Sequence, residues 1–131
     1  MFRQECAENG KKSFPENWES GCRYMMQAGF RVRSKIQKII ADFLSRSELG
    51  FLYEPRLNLG AYTVRPDFYL TDYALRYEHF GLSTPDYLRS AESKIAAYHR
   101  AGVPFMYTTF NDEPEIEDAI VDKLAEATLD L

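Results

Sequence analysis

The chain has 131 residues, the usual size of one domain, and its hydrophobic fraction of 45% is ordinary for a globular protein with a packed core. No apolar run approaches the roughly 20 residues that cross a bilayer, and the segment MFRQECAENGKK lacks the apolar core of a signal peptide, so we expect a cytoplasmic protein with no membrane partner. The two cysteines show no Cys-x-x-Cys pattern, which indicates reduced thiols rather than a zinc site or a disulfide framework.

Charge is distributed unevenly along the chain, although the net charge is only −4. Residues 23–65 carry eight basic side chains against three acidic ones, whereas residues 101–131 carry eight acidic side chains and a single lysine. The acidic total argues against a protein that coats nucleic acid over its whole surface. The basic half nevertheless permits a local face that binds phosphate.

Two segments are predicted at the N-terminal end. Residues 1–15 are polar, which predicts a flexible arm ahead of a single domain over residues 16–131. Apolar residues at helical spacing predict a short helix over residues 16–28, closed by Gly29.

A longer helix is predicted over residues 32–47, because apolar residues recur there at the spacing of one helix face, and Gly50 is expected to end it. Ser34 and Gln37 lie one turn apart on this helix and can project together. The apolar stripe consists of Val32, Ile36, Ile39, Ile40 and Phe43.

Basic residues crowd the start of this helix, at Arg31, Arg33 and Lys35. Cations are not favoured at a helix N-terminus, so another interaction is expected to compensate them. The phosphate backbone of a nucleic acid is one candidate. A polar face in contact with solvent is the alternative.

The remaining elements follow in an order that indicates the fold class. They are strands over residues 51–59, 62–70 and 74–80, a helix from Pro85 to Ala101-Gly102 capped by Thr84, a strand over 103–109, and a final helix that opens at Pro114 with Ile116, Ile120 and Leu124 inward. The order α-α-β-β-β-α-β-α predicts an α/β fold with a mixed sheet flanked by helices, because a single helix joins the third and fourth strands.

Residues 65–81 predict a β-hairpin with its turn at Asp72-Tyr73. A tight loop there places Asp67 directly opposite Glu78, on the face that the apolar pairs leave free. Like charges at directly opposed positions are destabilising, and a divalent cation between them would remove that cost. The alternative is a longer loop with a shifted register and two acids in water. The apolar pairs of the tight loop are Phe68 with Tyr77 and Leu70 with Leu75.

The ordered set of elements and motifs resembles the PD-(D/E)XK, or restriction-endonuclease-like, nuclease superfamily. The resemblance covers roughly residues 31–125 and is greatest to small nuclease modules found alone or attached to DNA helicases. The segments that carry it are Arg33-Ser34-Lys35, Tyr53-Glu54-Pro55, Arg65-Pro66-Asp67-Phe68, Tyr77-Glu78-His79-Phe80-Gly81, Lys94-Ile95-Ala96-Ala97-Tyr98 and Tyr107-Thr108-Thr109.

This resemblance implies a restriction-endonuclease-like core, a mixed four-stranded sheet in the order α-β-β-β-α-β. It also implies hydrolysis of phosphodiester bonds in DNA with Mg²⁺ or Mn²⁺. Asp67 and Glu78 match the two acids of the motif and would bind the metal together with the backbone carbonyl of His79. Gln37 takes the place where related sequences often carry a glutamate, so it would hold a metal-bound water without adding negative charge.

The resemblance leaves the catalytic cation to a helix, because Phe80 occupies the strand position where the motif has lysine. Lys94 lies on the face of its helix that is suited to packing over the sheet, and it would assist the attacking water or stabilise transition-state charge. Solvent exposure of its ammonium is the alternative.

Tyr98 would steady the phosphate or simply pack. The complete set of candidate nucleic-acid contacts is Arg31, Arg33, Ser34, Lys35, Lys38, Arg65 and Tyr98.

Two other functions compete with catalysis on DNA. Gln37 and Phe80 depart from the motif, which favours a catalytically weak or inactive module of the same fold that binds DNA or another protein. The acidic final helix leaves open a helicase or another DNA-processing protein as a partner, and a homodimer is also left open.

The imidazole of His79 is expected to pack in the core rather than to act as a base.

Overall fold

The computed structural model describes residues 24–25, 31–60 and 63–129. These residues form short strands, three α-helices and one 3₁₀ helix. In chain order the elements are β1 (Tyr24–Met25), β2 (Arg31–Val32), α1 (Lys35–Arg46), β3 (Phe51–Tyr53), β4 (Leu57–Asn58), β5 (Thr63–Val64), β6 (Phe68–Leu70), β7 (Leu75–Phe80), α2 (Pro85–Ala101), β8 (Phe105–Thr109), the 3₁₀ helix (Phe110–Glu115) and α3 (Ile116–Leu129).

The main sheet has four strands in the order β3-β6-β7-β8. The pairs β3–β6 and β6–β7 are antiparallel, whereas β7 and β8 are parallel. Parallel neighbours need a long crossover connection, and α2 provides it. The predicted α/β fold with a mixed four-stranded sheet flanked by helices is therefore confirmed. Two small antiparallel ladders, β1–β2 and β4–β5, lie outside this sheet.

Helix α1 begins later and ends earlier than predicted. The Ser34 hydroxyl accepts a hydrogen bond from the Gln37 amide at 3.2 Å, so Ser34 is the N-cap. Val32 consequently lies in β2 rather than in the helix. The chain leaves the helix at Ser47, and Glu48 takes a φ of 58°, so Gly50 does not end the helix as predicted.

The buried face of α1 also differs from the predicted apolar stripe. Ile40, Ala41 and Leu44 are fully buried, whereas Ile36 and Phe43 are partly buried against the core. Ile39 is 47% exposed, so its place in the stripe was wrong. The side chains of Ile40 and Leu44 point into the core. Successive residues of a helix point in different directions, so the side chain next to Ile40 in the sequence is turned towards solvent.

Two predicted strands are each divided in the structure. The predicted strand over 51–59 stops after Tyr53 because Glu54 has a φ of 49°, outside the β region, and the chain resumes as β4. The predicted strand over 62–70 is divided into β5 and β6. Pro66 lies just before β6, where its missing N–H costs no ladder hydrogen bond.

The predicted N-terminal segments lie almost entirely outside the described residues. This holds for the arm over residues 1–15 and for most of the helix over residues 16–28. Within that helix, Tyr24 and Met25 instead form β1, so the helical prediction is wrong at these positions. The physical reason is antiparallel pairing with β2, which holds the backbone extended despite the helical spacing of apolar residues.

The C-terminal half follows the prediction more closely. Helix α2 spans Pro85–Ala101 and ends at Gly102, whose φ of 67° suits glycine. The final helix does not open at Pro114, because Thr109 and Asp112 form a capping box that starts the 3₁₀ helix first. Ile116 and Ile120 of α3 are buried, as predicted.

The hydrophobic core covers one face of the main sheet and is closed by α1 and α3. Its largest fully buried members are aromatic, and they contact one another across neighbouring strands through Phe68. The opposite face carries α2, with Tyr98 stacked on Phe105 at a centroid distance of 4.7 Å. Within the parts of the chain that the structure describes, none of the helices has the length and apolarity to cross a membrane.

Candidate active site

The β6–β7 hairpin has the predicted register. Phe68 pairs with Tyr77 and Leu70 pairs with Leu75, so the apolar pairs lie on the core face. The connection contains residues 71–74, a longer turn than Asp72-Tyr73 alone. One step beyond the last ladder pair, the same register sets Asp67 against Glu78 on the opposite face.

Asp67 lies immediately before β6, where neighbouring elements hold both of its carboxyl oxygens. Oδ1 accepts a hydrogen bond from Gln37 Nε2 at 3.1 Å, and Oδ2 accepts one from the backbone N–H of His79 at 2.6 Å. Helix α1 thus approaches the hairpin from one side, and β7 holds the carboxyl from the other. These two contacts fix the carboxyl group beside Glu78.

Glu78 is almost fully buried, with 2% of its surface exposed. Its Oε2 lies 2.9 Å from Lys94 Nζ and accepts a hydrogen bond from the Tyr98 hydroxyl at 2.7 Å. Lys94 and Tyr98 are four residues apart, so they share one face of α2. The helix therefore carries a cation and a hydroxyl donor directly to the second acid of the hairpin.

Burial makes both acids of the site hard to ionise. Burial, reinforced by the charge of Glu78, raises the pKa of Asp67 to about 8, although the His79 amide opposes the shift. Burial also raises the pKa of Glu78, against the effect of the Lys94 ammonium and the Tyr98 hydroxyl. The Tyr98 hydroxyl has a pKa raised by its own burial and by the nearby Glu78 charge, so it remains a donor. Asp67 is accordingly protonated at neutral pH unless a cation compensates its charge.

Gln37 takes part in a hydrogen-bonded chain that fixes how its amide is oriented. Its Oε1 accepts hydrogen bonds from the Tyr53 hydroxyl at 2.7 Å and from the Arg33 amide at 3.1 Å. The Nε2 group is therefore directed at Asp67. Gln37 lies beside the first acid, and it contributes a donor there without a negative charge.

The imidazole of His79 packs in the core, as expected, in a polar chain that the sequence did not reveal. Its Nε2 lies 2.7 Å from Glu113 Oε2, and its Nδ1 lies 2.8 Å from Thr108 Oγ1, which is 2.7 Å from the Tyr77 hydroxyl. The Thr-His-Glu order resembles a catalytic triad, but Thr108 is completely buried and cannot reach a substrate. This chain holds the strand whose amide binds Asp67.

Glu54 is a second neighbour of the site to which sequence reasoning gave no role. Its amide donates to the Asp67 carbonyl at 2.9 Å, and its carboxylate forms an ion pair with Arg33 at 2.9 Å. The Glu54 charge contributes to the raised pKa of Asp67. The pairing of β3 with β6 continues one step beyond Tyr53 and brings Glu54 next to Asp67. The sequence would have indicated this contact only if the residue at which β3 ends had been known.

The predicted nucleic-acid contacts have different surroundings where the structure describes their side chains. Arg33 pairs with Glu54, Lys38 pairs with Asp42 at 2.7 Å, and Ser34 caps α1. Lys35 is exposed, whereas Arg65 is partly buried. Arg31 lies in β2.

Tyr98, the last of the predicted nucleic-acid contacts, has no exposed surface and donates to Glu78. Of the two roles considered for Tyr98, packing is therefore the one its surroundings match. Its ring stacks on Phe105, and its hydroxyl positions the second acid of the site.

The donor set fits a hard divalent cation in chemical type, since carboxylate and carbonyl oxygens are the ligands that Mg²⁺ takes. Asp67, Glu78 and the backbone carbonyl of His79 are the groups available to hold it. Among the described residues, no group of three or more His, Cys, Asp or Glu side chains is arranged to hold a metal ion. A metal here would consequently keep several of its ligands as water.

Comparisons with known proteins found no matching family model, no matching curated protein and no matching solved structure.

The raised pKa of Asp67 gives a prediction for stability without metal. The folded state holds a proton on Asp67 between about pH 4 and pH 8 that the unfolded chain releases. Stability falls with rising pH wherever the folded state binds more protons. In the presence of a chelator, the free energy of unfolding should therefore fall as the pH rises across this range. Asp67 contributes at most about 1.4 kcal/mol per pH unit to this fall.

Urea unfolding at a series of pH values measures this dependence. Asp67→Asn removes the titrating group, so its stability should vary less with pH than that of the wild type. Identical slopes for the two proteins would show that Asp67 ionises normally in the fold.

Proposed function

We propose that this protein is a metal-dependent nuclease that hydrolyses phosphodiester bonds of DNA. The observation that carries the proposal is the pair of neighbouring acids, the partly buried Asp67 and the buried Glu78, with the Lys94 ammonium 2.9 Å from Glu78. Two neighbouring carboxyl groups with raised pKa values destabilise the fold when both are charged, so stability alone does not explain why the chain keeps them together. They are the expected arrangement if a divalent cation and a phosphate complete the site.

The order α1-β3-β6-β7-α2-β8 supports a restriction-endonuclease-like core within the α/β fold. It is the α-β-β-β-α-β order of that core, with the β4–β5 hairpin inserted between the first two strands. In the proposed site Asp67 immediately precedes the second strand of this order and Glu78 lies on the third, which corresponds to the two acids of the motif. Lys94 comes from the following helix.

Each residue has a distinct role in the proposed reaction. Asp67 and Glu78 hold Mg²⁺ or Mn²⁺, which when bound lowers the pKa of coordinated water and neutralises charge on the phosphate. Lys94 stabilises negative charge that develops on the phosphate oxygens in the transition state. Gln37 holds Asp67 in place and can hydrogen-bond a water beside it, and Tyr98 orients Glu78.

A module without catalytic activity is the second candidate. Three observations favour it: Gln37 adds no charge, Phe80 packs on Tyr87 and Tyr107 where the motif has lysine, and Lys94 already pairs with Glu78. In this case the site would be a structural ion pair, and the protein would bind DNA or a DNA-processing partner such as a helicase without cleaving.

Incubation of purified protein with supercoiled plasmid separates the two candidates. The nuclease proposal predicts nicked or linear products with Mg²⁺ or Mn²⁺ and none when a chelator is added. Intact plasmid in every condition, from a protein that binds DNA, would favour the module without activity.

The exposed start of α1 is a candidate contact for DNA phosphates, and Lys35 offers the clearest test. Arg33→Ala would also leave the buried Glu54 without its 2.9 Å partner, so a loss of binding there would be ambiguous. Lys35→Ala should reduce the slope of log affinity against log salt by about 0.9 on duplex DNA.

Fluorescence anisotropy with a labelled duplex at several salt concentrations gives this slope. Lys123→Ala, on α3, is the control. Equal slopes for Lys35→Ala and wild type would remove Lys35 from the binding surface.

A further inference from the structure

A groove runs along α2 and shares only Lys94 with the candidate active site. Its volume is about 580 Å³. Five of its lining residues belong to α2, and the sixth comes from β5: Asp86, Arg89, Ser90, Ser93, Lys94 and Val64.

The groove is connected to the candidate active site through Lys94, which lines it. Its α2 residues recur every three to four positions, at 86, at 89 and 90, and at 93 and 94, so they form one stripe along about two turns of the helix. The stripe ends at Lys94, whose ammonium lies 2.9 Å from Glu78. A ligand lying in the groove therefore contacts Lys94, the residue that stabilises charge in the proposed reaction.

The groove is rich in hydrogen-bond donors that suit phosphate. Ser90 and Ser93 are exposed and each offers a hydroxyl. Arg89 offers a guanidinium, which binds two phosphate oxygens at once. Lys94 adds an ammonium at the end nearest the acids.

Arg89 is available for a ligand although it pairs with Asp86. The two side chains are 68% and 93% exposed, and an ion pair so accessible to water contributes little to stability. A phosphate can replace that carboxylate with a bidentate contact of its own. Asp86 lies two turns from Lys94, so its negative charge is at the far end of the groove.

We infer that the α2 groove binds the sugar-phosphate backbone of the DNA strand next to the bond that is cleaved. The inference depends on the proposed function for the identity of the ligand, because the groove itself selects only for phosphate groups on a linear chain. It places the contacts of the cleaved strand on α2, a surface distinct from the start of α1. Arg89, Ser90 and Ser93 are then binding residues of the substrate strand.

Binding experiments without cleavage test the inference. Asp67→Asn serves as the background, and a labelled DNA oligonucleotide is the probe, both as duplex and as single strand. Arg89→Ala removes one phosphate contact and should flatten the salt slope by about 0.9 on duplex and about 0.7 on single strands. Ser93→Leu adds bulk inside the groove and should weaken affinity for both probes. Arg100→Ala, exposed near the end of the same helix, is the matched control and should change neither.

The outcomes separate this inference from the proposed activity. If Arg89→Ala and Ser93→Leu bind like Arg100→Ala, or if no DNA is bound at all, the groove is not a DNA site. If Arg89→Ala and Ser93→Leu weaken binding as stated while wild-type protein fails to cleave with Mg²⁺ or Mn²⁺, the groove stands and the nuclease proposal falls. Circular dichroism spectra that match wild type confirm that each variant is folded.

Discussion

Asp67→Asn is expected to abolish metal-dependent cleavage of DNA while the protein stays folded. The substitution removes a negative oxygen from the proposed metal site, and loss of even an indirect partner of a metal ligand typically costs about 10- to 100-fold in activity. A direct ligand should cost at least the upper end of that range. The fold should tolerate the change because the pKa of about 8 keeps Asp67 neutral at pH 7 when no metal is bound.

Plasmid cleavage with Mg²⁺ and with Mn²⁺ measures this effect. Asp122→Asn, an exposed acid on α3, is the matched control and should cleave like wild type. Cleavage by folded Asp67→Asn at the wild-type rate would show that Asp67 is not a ligand that matters.

Lys94→Met is expected to lower the cleavage rate by about 10²-fold or more if its ammonium stabilises transition-state charge. Metal binding should persist, because Asp67 and Glu78 remain. The structure adds a cost in stability that the sequence did not indicate. Glu78 loses its 2.9 Å cationic partner, and the Tyr98 hydroxyl that remains carries no positive charge, so the metal-free variant should unfold at lower urea concentration.

Two controls distinguish a catalytic effect from this loss of stability. Lys123→Met, on α3 above the Tyr107 ring, removes a lysine outside the site and should leave cleavage unchanged. Lys94→Arg keeps a charge beside Glu78, so it should restore stability, but its planar guanidinium cannot occupy the same point as the ammonium. Near-normal cleavage by folded Lys94→Met would remove Lys94 from the mechanism.

The sequence predicted the parts of the fold that local chemistry determines. The register of β6–β7 follows from alternating apolar residues such as Phe68 and Tyr77, and the limits of α2 follow from Pro85 and Gly102. The division of the predicted strand at Glu54 was not predictable, since its φ of 49° has no local signal such as glycine. Tyr24 and Met25 had helical spacing, yet pairing with β2 makes them a strand.

The candidate site was predictable where one element determined it. Asp67 and Glu78 follow from the register of one hairpin, and the placement of Lys94 and Tyr98 follows from one face of α2. Glu113 was missed because its contact with His79 spans 34 positions between elements that no periodicity connects.

Binding of Mn²⁺ to the pair of acids is the central claim, and calorimetric titration at pH 7 in two buffers of different ionisation enthalpy tests it most directly. Because the pKa of Asp67 is about 8 without metal, binding should release about one proton, which the difference between buffers reports. We predict saturable binding with proton release for wild type, and loss of both in Asp67→Asn. No binding by folded wild-type protein, or equal binding by Asp67→Asn, would contradict the claim.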